Sequence, residues 1–572
     1  MAFGTKKEKI SVTDDFTVLK WWYLPLKFAA LIAGGLCYAA ALAPLNFYVL
    51  ALPAVALLLY GLEKTCGAKA FLCGWLWGLA WTLPSYWFLR EIELPVPFFV
   101  AAAVSLFCGV FAFFYTAVRN TLLFPLKIFC SPWREKCSYL AALPLTRQIF
   151  FCIGTAVLYT FIEWSRSRIF PWNNLSATQY RNLYFIQAAS LIGGAGLTFC
   201  IVFAGSSVYA AWRFGKGFKV LSVAAVLLLS LMLFGVWHLH FKSGEVQTQK
   251  ISMLLIQGDL SQRRDPKPGA AEEALYVYTL LTRQAVAAYP GADLVVWPEC
   301  AVPIPFCSAV DLRQKYPNSL IGVYQNVVRN FKVPILIGAL DFASGFDGTW
   351  DYSKTNSALL FDRQGNLAGR YDKCHRVPFG EYVPFRDYLP SKLVKILDMG
   401  RDLVPGISHR PLRLANGVQA GMMICFESVF DYIACKNAKR GADFLLVLSN
   451  DAWYPTSSEP EQHLANAVIR AVESGLPMVR CGNNGGSLVV TEKGEITQIL
   501  EVPGKASRPE IRRGRGFRKV ELHLPEMNEL TFYCRFGRFV IAAIVFMSVW
   551  SVVLTLRKGY LREKSLTELL EE

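Results

Sequence analysis

The chain has 572 residues, of which 53% are hydrophobic and only 18% charged, with a formal net charge of +16. Soluble domains carry roughly 25% charged residues, so the composition argues against a wholly water-soluble protein, and lipid is the solvent that the apolar excess requires. The Lys and Arg surplus reads first as the basic bias of cytoplasmic loops and only second as a nucleic-acid surface. Fifteen Cys, an odd number with no C-x-x-C pair, support neither a disulfide framework nor a structural zinc site. Most of these thiols read as small buried hydrophobes.

In chain order, seven apolar runs suited to a bilayer core of about 30 Å precede a long polar region. They cover Phe28 to Leu42, Phe47 to Leu62, Ala70 to Leu89, Phe98 to Val118, Ile149 to Trp164, Ile186 to Ala211 and Val220 to His238; an eighth covers Phe539 to Leu556. Lys6, Lys7, Lys9 and Lys20 precede the first run. Lys64 and Lys69, then Arg119, Lys127, Arg134, Lys136 and Arg147, then Arg213, Lys216 and Lys219 fill the second, fourth and sixth connections, and Arg557, Lys558, Arg562 and Lys564 follow the last run. Eight spans put all of these on one side, which the positive-inside rule makes the cytoplasm. The polar region then faces the opposite side. No small-residue cleavage site follows the first run, so a removable signal peptide is not expected.

Three parts are expected: 1–242 as a membrane domain of seven helices, 243–535 as an α/β domain, and 536–572 as an eighth span with a cytoplasmic tail. Within the α/β part, Ile251 to Gln257, Leu294 to Trp297, Ile335 to Leu340, Gly421 to Cys425, Phe444 to Ser449 and Met478 to Arg480 are short apolar runs that predict buried strands. Ala270 to Ala287 and Gln462 to Glu473 predict amphipathic helices. Ser357 to Phe361 and Leu367 to Tyr371 flank Asp362-Arg363-Gln364-Gly365-Asn366, a hairpin signal.

Three of these strands deliver reactive groups at their ends, where functional groups gather in α/β folds. Glu299 follows Leu294 to Pro298, Lys373 follows Leu367 to Asp372, and Cys425 follows Gly421 to Ile424. A thiol needs a base to become a strong nucleophile, and its reaction needs positive charge or N–H donors near the developing oxyanion. A Glu with a Lys supplies both functions. His375, His409 and His463 leave a Cys-His pair open as well. Taken singly, each residue has a bland reading: a solvated strand end, a surface charge, a core thiol.

Taken together, Trp297-Pro298-Glu299, Tyr371-Asp372-Lys373 with Val377-Pro378-Phe379-Gly380-Glu381, Cys425-Phe426-Glu427 and Ser449-Asn450-Asp451-Ala452-Trp453 resemble the Glu-Lys-Cys signature of the nitrilase superfamily. The apolar runs narrow the resemblance to its membrane-embedded branch, the apolipoprotein N-acyltransferase family. Ala43-Pro44-Leu45, Phe170-Pro171-Trp172, Gln257-Gly258, Gln462-His463 and Asn483-Asn484-Gly485 agree with that family. The resemblance runs almost the whole length, apart from the loop at Lys127 to Arg147 and the tails.

The resemblance implies a polytopic α-helical membrane bundle of about eight spans carrying a four-layer αββα domain, in the inner membrane of a bacterium with that domain in the periplasm and both termini in the cytoplasm. It implies catalysis by Glu299, Lys373 and Cys425, support from Glu381, Phe426, Glu427 and Trp453, and neither metal nor cofactor. Its implied acyl donor is a phospholipid, typically phosphatidylethanolamine, and its acceptor the α-amino group of a diacylglyceryl-cysteine at a lipoprotein N-terminus. A monomer and no nucleic-acid partner are expected. Glu381 has a bland alternative as a loop carboxylate paired with Arg376 or Arg386.

Two departures from the family pattern stand out. Ser261-Gln262-Arg263-Arg264-Asp265-Pro266 holds no Trp where one is usual, which bears on the lipid site, and Arg538 follows Gly537 where Asp is usual. The basic run Lys505 to Lys519 reads as a solvated loop before a phosphate-binding one. Glu163, Arg166 and Arg168 read as snorkelling residues or headgroup guides. Rival readings of the whole are a membrane-tethered amidase that hydrolyses a small C–N substrate, and a transporter or receptor with a catalytically dead outer domain. The intact Glu-Lys-Cys set argues against the second.

Overall fold

A computed structural model describes residues 15–123, 144–214, 218–241, 248–262, 267–308, 318–342, 354–391, 402–454, 457–502, 506–508, 511–525 and 529–571. Among these, six helices are long and apolar enough to cross a membrane: Leu24–Ala41, Val96–Thr116, Leu145–Ser167, Ala189–Arg213, Phe218–His240 and Phe532–Trp550. The second expected span forms a shorter apolar helix, Tyr48–Gly61. The third forms Gly67–Ser85, which carries Lys69, Pro84 and three glycines and is not among the six. The expected count of eight is therefore not reached on length and apolarity alone. Gly67–Ser85 nevertheless packs into the bundle. A Cβ on Gly74 would fall 2.4 Å from the Cys108 carbonyl oxygen, and one on Gly78 would fall 2.7 Å from Ser105 Cβ. Small residues thus allow the backbones to approach closely.

The described residues also include fourteen strands, β1 Thr248–Gln257, β2 Leu294–Val296, β3 Ile335–Phe342, β4 Lys354–Phe361, β5 Leu367–Asp372, β6 Leu412–Arg413, β7 Gln419–Ile424, β8 Phe444–Ser449, β9 Met478–Gly482, β10 Leu488–Val490, β11 Ile496–Thr497, β12 Ala506–Arg508, β13 Ile511–Arg512 and β14 Gly516–Pro525. Two six-stranded sheets result, ordered β14-β1-β2-β3-β4-β5 and β11-β10-β9-β8-β7-β6. Strand alternation sorts their side chains. Ile251, Met253 and Leu255 of β1 meet Ala420, Met422 and Ile424 of β7 and Phe444, Leu446 and Leu448 of β8 in a core between the sheets. On the outer face of the first sheet, Leu254 and Ile256 pack under the helices Ala270–Ala288 and Leu320–Asn330.

The second sheet turns Met423, Leu445 and Val447 toward the helices Asp431–Lys439 and Glu459–Ser474, and that core is continuous with the apolar bundle. The layers are therefore helix, sheet, sheet, helix. The inner helix layer is also the surface on which the domain meets the membrane helices, which explains why all sixteen residues of Glu459–Ser474 are buried.

Part of the basic run read as a loop is strand. Gly516–Pro525 pairs along its full length with β1; Val520, Leu522 and Leu524 alternate inward to the inter-sheet core, while Arg518 and Lys519 stay only partly covered. The charges masked a period-2 pattern on an edge strand. Arg515 pairs with Glu273 at 2.6 Å. Arg263, Arg264, Asp265 and Pro266, most of the loop from Lys127, and Lys6, Lys7 and Lys9 lie outside the described residues.

Candidate active site

The hairpin predicted at Asp362 to Asn366 sets the position of the lysine. Asp362 Oδ1 accepts the N–H groups of Gln364 and Asn366, and the antiparallel register that follows pairs Ser357 with Asp372. One residue further, Lys373 donates its main-chain N–H to the Asn356 carbonyl at 2.8 Å. Its side chain is almost wholly buried, and Nζ lies 3.2 Å from Glu299 Oε1 and 2.9 Å from Glu381 Oε1. Asn356 closes the arrangement by donating Nδ2 to the same two oxygens, at 2.7 and 3.1 Å. Glu381 is thus not paired with Arg376 or Arg386. Its second oxygen takes the Val377 N–H at 2.8 Å, while Arg376 donates to the Leu403 carbonyl and Arg386 pairs with Asp402. Burial opposes the charge on Lys373, but the Glu299 and Glu381 carboxylates outweigh it and hold the ammonium well above the ordinary lysine range.

Glu299 owes its place to a glycine. A Cβ on Gly338 of β3 would stand 2.1 Å from the Pro298 carbonyl oxygen and 2.7 Å from Glu299 Cα. Only a residue without a side chain lets the chain after β2 lie this close to its neighbour. From the second sheet, Asn450 Nδ2 reaches the Glu299 carbonyl at 3.3 Å.

Cys425 stands at the end of β7 with φ of +51°, a left-handed conformation that is uncommon for any residue but glycine. It opens a tight 3-10 turn, Cys425–Val429. Burial, then the nearby Glu299 carboxylate, pushes its thiol well above the usual range, and Lys373 pulls the other way. Burial thus favours the neutral thiol, with Glu299 and Lys373 the charged neighbours that act on it most strongly.

Glu427 holds the turn. It is fully buried; Oε1 accepts the N–H groups of Cys374 and His375 at 2.7 and 2.9 Å, and Oε2 accepts the Ile424 N–H and the Tyr371 hydroxyl at 2.8 and 2.9 Å. One carboxylate thereby joins the segment bearing Lys373 to the segment bearing Cys425. The ring of Phe426 packs between the domain and the bundle, with centroids 5.8 Å from Phe170, 6.2 Å from Trp172 and 5.2 Å from Phe430. Trp453 sits half-buried on the short turn Asp451–Trp453 after β8.

The histidines take other roles. His375 Nδ1 bonds the Tyr432 hydroxyl at 2.9 Å, and burial, then Lys373, lowers its pKa to about 4. Burial likewise lowers His409 to about 4. His463 lies near Cys425, but Nε2 faces the Cys425 carbonyl at 3.0 Å and Ser428 Oγ at 2.8 Å, while Nδ1 faces Asp451 Oδ1 at 3.2 Å. Both ring nitrogens are committed to fixing the turn, so a Cys-His pair is not the arrangement found.

Among the described residues, two groups of three ligand-type atoms lie within 4.8 Å of one another, Cys374 with His409 and Glu427, and Cys425 with Asp451 and His463. The Glu427 oxygens and the His463 nitrogens already serve the bonds described, His409 Nδ1 faces the Tyr371 hydroxyl at 3.4 Å, and Asp451 is also paired to Arg480. Neither donor set suits a cation.

Asn356, Gly338 and His463 gain their roles only here. The signal for Asn356 lay one residue before the expected strand Ser357 to Phe361; for Gly338 nothing in the sequence marked the approach. Glu163 and Arg166 do not snorkel. Glu163 accepts the Leu175 N–H and the Thr198 hydroxyl, both at 2.7 Å, and Arg166 donates to the Trp172 carbonyl at 2.8 Å. Arg168 pairs with Asp431 of the domain at 2.8 Å. Arg538 lies over the Phe539 ring at 5.1 Å.

Comparison with known proteins matches both parts of the chain. The model described as carbon-nitrogen hydrolase matches residues 254–501, and that described as apolipoprotein N-acyltransferase N-terminal domain matches 34–207. The apolipoprotein N-acyltransferase of Geobacter metallireducens is 32% identical over 423 residues, 72% of this chain and 77% of that protein. The chain belongs to the apolipoprotein N-acyltransferase family. Relatives of the same name from Caulobacter vibrioides, 29% identical over 84% of this chain and 85% of its own, and Rhodopseudomonas palustris, 26% identical over 97% and 99%, extend the likeness across bundle and domain alike. The family thus joins a carbon-nitrogen hydrolase domain to apolar helices in one acyltransferase. It explains why the second sheet's helices are covered by bundle rather than by water.

Proposed function

We propose that this chain transfers a fatty acyl group from a membrane phospholipid, through a thioester on Cys425, to the α-amino group of an N-terminal diacylglyceryl-cysteine on apolipoproteins. The observation that carries the reading is the buried Glu299-Lys373-Glu381 cluster beside Cys425, set where the Phe426 ring meets Phe170 and Trp172 of an apolar bundle.

Glu299 takes the thiol proton, and the Cys425 sulfur attacks the ester carbonyl of the donor. Lys373 and the Phe426 main-chain N–H steady the oxyanion, a preorganised charge effect that is strongest in a site closed to water. Collapse expels the lysophospholipid alcohol, which takes the proton from Glu299, and leaves the thioester. The acceptor amine then attacks, Glu299 receives its proton and passes it to the departing Cys425 sulfur, and the thiol and the free carboxylate are restored. The two half-reactions give ping-pong kinetics, and no cofactor is needed. Glu381, Phe426, Glu427 and Trp453 position the reacting groups or line the site, with phosphatidylethanolamine as the donor expected first and a monomer as the working unit.

We place the domain on the periplasmic side of a bacterial inner membrane, with 1–242 and 536–572 as the membrane parts, 243–535 as the catalytic part and both termini cytoplasmic. Basic groups support this. Arg119 donates to the Leu62 carbonyl and Arg213 pairs with Glu63 at one end of the bundle, whereas Arg168 and Trp172 meet Asp431 and Gln462 of the domain at the other.

The test is incubation of the purified chain with phospholipid labelled in its acyl chain. A label on Cys425 that hydroxylamine releases, absent in Cys425→Ser and discharged by a diacylglyceryl-cysteine peptide, is the expected result. An unlabelled protein that instead hydrolyses a small soluble amide would overturn it in favour of a membrane-tethered amidase.

A further inference from the structure

Where the catalytic domain meets the last apolar helix, two cysteines touch. Cys435 lies on the helix Asp431–Lys439, which follows directly on the turn that carries Cys425. Cys534 lies in the first turn of the helix Phe532–Glu571. Their Sγ atoms are 2.7 Å apart, closer than two unbonded sulfurs sit. Among the described residues this is the one pair of thiols in contact.

The surroundings hold the two sulfurs in that relation. Tyr533, next to Cys534, donates its hydroxyl to Asp431 Oδ2 at 3.0 Å, four residues before Cys435. The Thr531 hydroxyl donates to the Glu473 carbonyl at 2.6 Å and accepts the Cys534 N–H at 3.0 Å. Gly193, at φ of +67°, sits under the Tyr533 ring where any Cβ would be 2.2 Å from it. Three elements are thus locked around the pair before any bond between the sulfurs is considered. A bond would need little movement of backbone, which is the condition that most engineered disulfides fail.

We propose that Cys435 and Cys534 form a disulfide that ties the catalytic domain to the last membrane helix. The inference rests on the placement of the domain outside the cytoplasm, where thiol oxidation persists. The oxidant is a disulfide-bearing donor, reacting by thiol–disulfide exchange. Cys435, the more exposed of the two, gives up its proton and attacks one sulfur of the donor; a mixed disulfide forms and one donor thiolate leaves. Cys534 then loses its proton and attacks Cys435 Sγ, the Cys435–Cys534 bond forms, and the second donor thiolate leaves. Two electrons pass to the donor, and its two thiolates take up the two protons. The cross-link closes a loop of about 100 residues, the length at which such a bond restricts the unfolded chain strongly. It also anchors the helix that follows the nucleophile turn to a membrane-embedded element.

The test uses the full-length chain in the membranes of the cells that make it. Acid quenching, alkylation of free thiols, reduction and then tagging of newly freed thiols with a polyethylene glycol maleimide count the oxidised cysteines. Two tags appear in the wild type only after reduction, and none in Cys435→Ser or Cys534→Ser. Should a variant fail to accumulate, mass spectrometry of the unreduced wild-type digest reads the same linkage as joined peptides that separate on reduction. Wild-type protein that gains no tag on reduction overturns the disulfide. A parallel chain with Gln364→Cys, on the exposed hairpin, is probed in spheroplasts with a membrane-impermeant maleimide. Labelling beside a reduced Cys435 and Cys534 rejects the disulfide while the outward placement stands. An unlabelled hairpin beside a reduced Cys435 and Cys534 rejects both.

Discussion

The Glu427 carboxylate accepts the main-chain N–H of Cys374 at 2.7 Å, and through that bond the loop after β5 and the turn after β7 share one anchor. Lys373 and Cys425 come from different sheets and lie fifty-two positions apart, so their relative placement depends on contacts of this kind. Replacing Glu427 with Gln keeps the shape but turns one acceptor into a donor facing N–H or O–H groups. Each buried donor left without a partner costs about 1–3 kcal/mol. Glu427→Gln is expected to lower acyl transfer by about 10²-fold, since small misplacements of reacting groups carry penalties of that order, and to lower the melting temperature. Steady-state kinetics beside a thermal melt in detergent would check both.

Removing the buried ammonium isolates two carboxylates. Lys373→Met should abolish thioester formation to within roughly 10³-fold of wild type or worse, in line with losing an oxyanion donor. Glu381→Gln, which leaves Lys373 paired with Glu299, should cost less. Equal losses in the two variants would argue that Glu381 does more than hold the lysine.

Gly338→Ala places a methyl group against the Pro298 carbonyl and Glu299 Cα. Overpacking of this kind costs about 1–3 kcal/mol, and here the strain falls on Glu299. Activity should drop more than the modest loss of stability explains, and Gly338→Ser should be worse still. A fully active Gly338→Ala would show that the strand can yield without moving Glu299.

Burial pushes the Glu427 and Glu473 carboxyls up to about 7 from the usual 4.5. The fold therefore favours their neutral forms. That contribution is fully present below pH 4.5 and is lost as pH rises through about 7, at up to about 3 kcal/mol per group by linkage. Melting temperature should fall between pH 5 and pH 8. Glu473→Gln, at the contact with Gly194 and Arg470, should flatten the slope; an unchanged slope would mean that other groups set it.

Much of the fold was legible because its signals are local. The run Phe444 to Ser449 is β8 to the residue, the Asp362 to Asn366 turn fixed its hairpin, and Ala270 to Ala287 is the outer helix but for one terminal residue. The edge strand Gly516–Pro525 was hidden because its outward residues are charged, whereas the third apolar run, expected over Ala70 to Leu89, is helical over Gly67–Ser85.

By itself the sequence determined the partition into apolar helices and an α/β region, and it put Glu299, Lys373 and Cys425 at strand ends, because hydrophobic period and turn chemistry act over a few residues. Only the tertiary structure decided what surrounds them. Asn356 bridging two carboxylates, Gly338 admitting the Glu299 backbone, Glu427 joining two sheets, His463 turned to a carbonyl and Cys435 meeting Cys534 all depend on segments tens to hundreds of residues apart. Such contacts are set by sheet register and by the packing of the inner helix layer on the bundle, which no local pattern encodes.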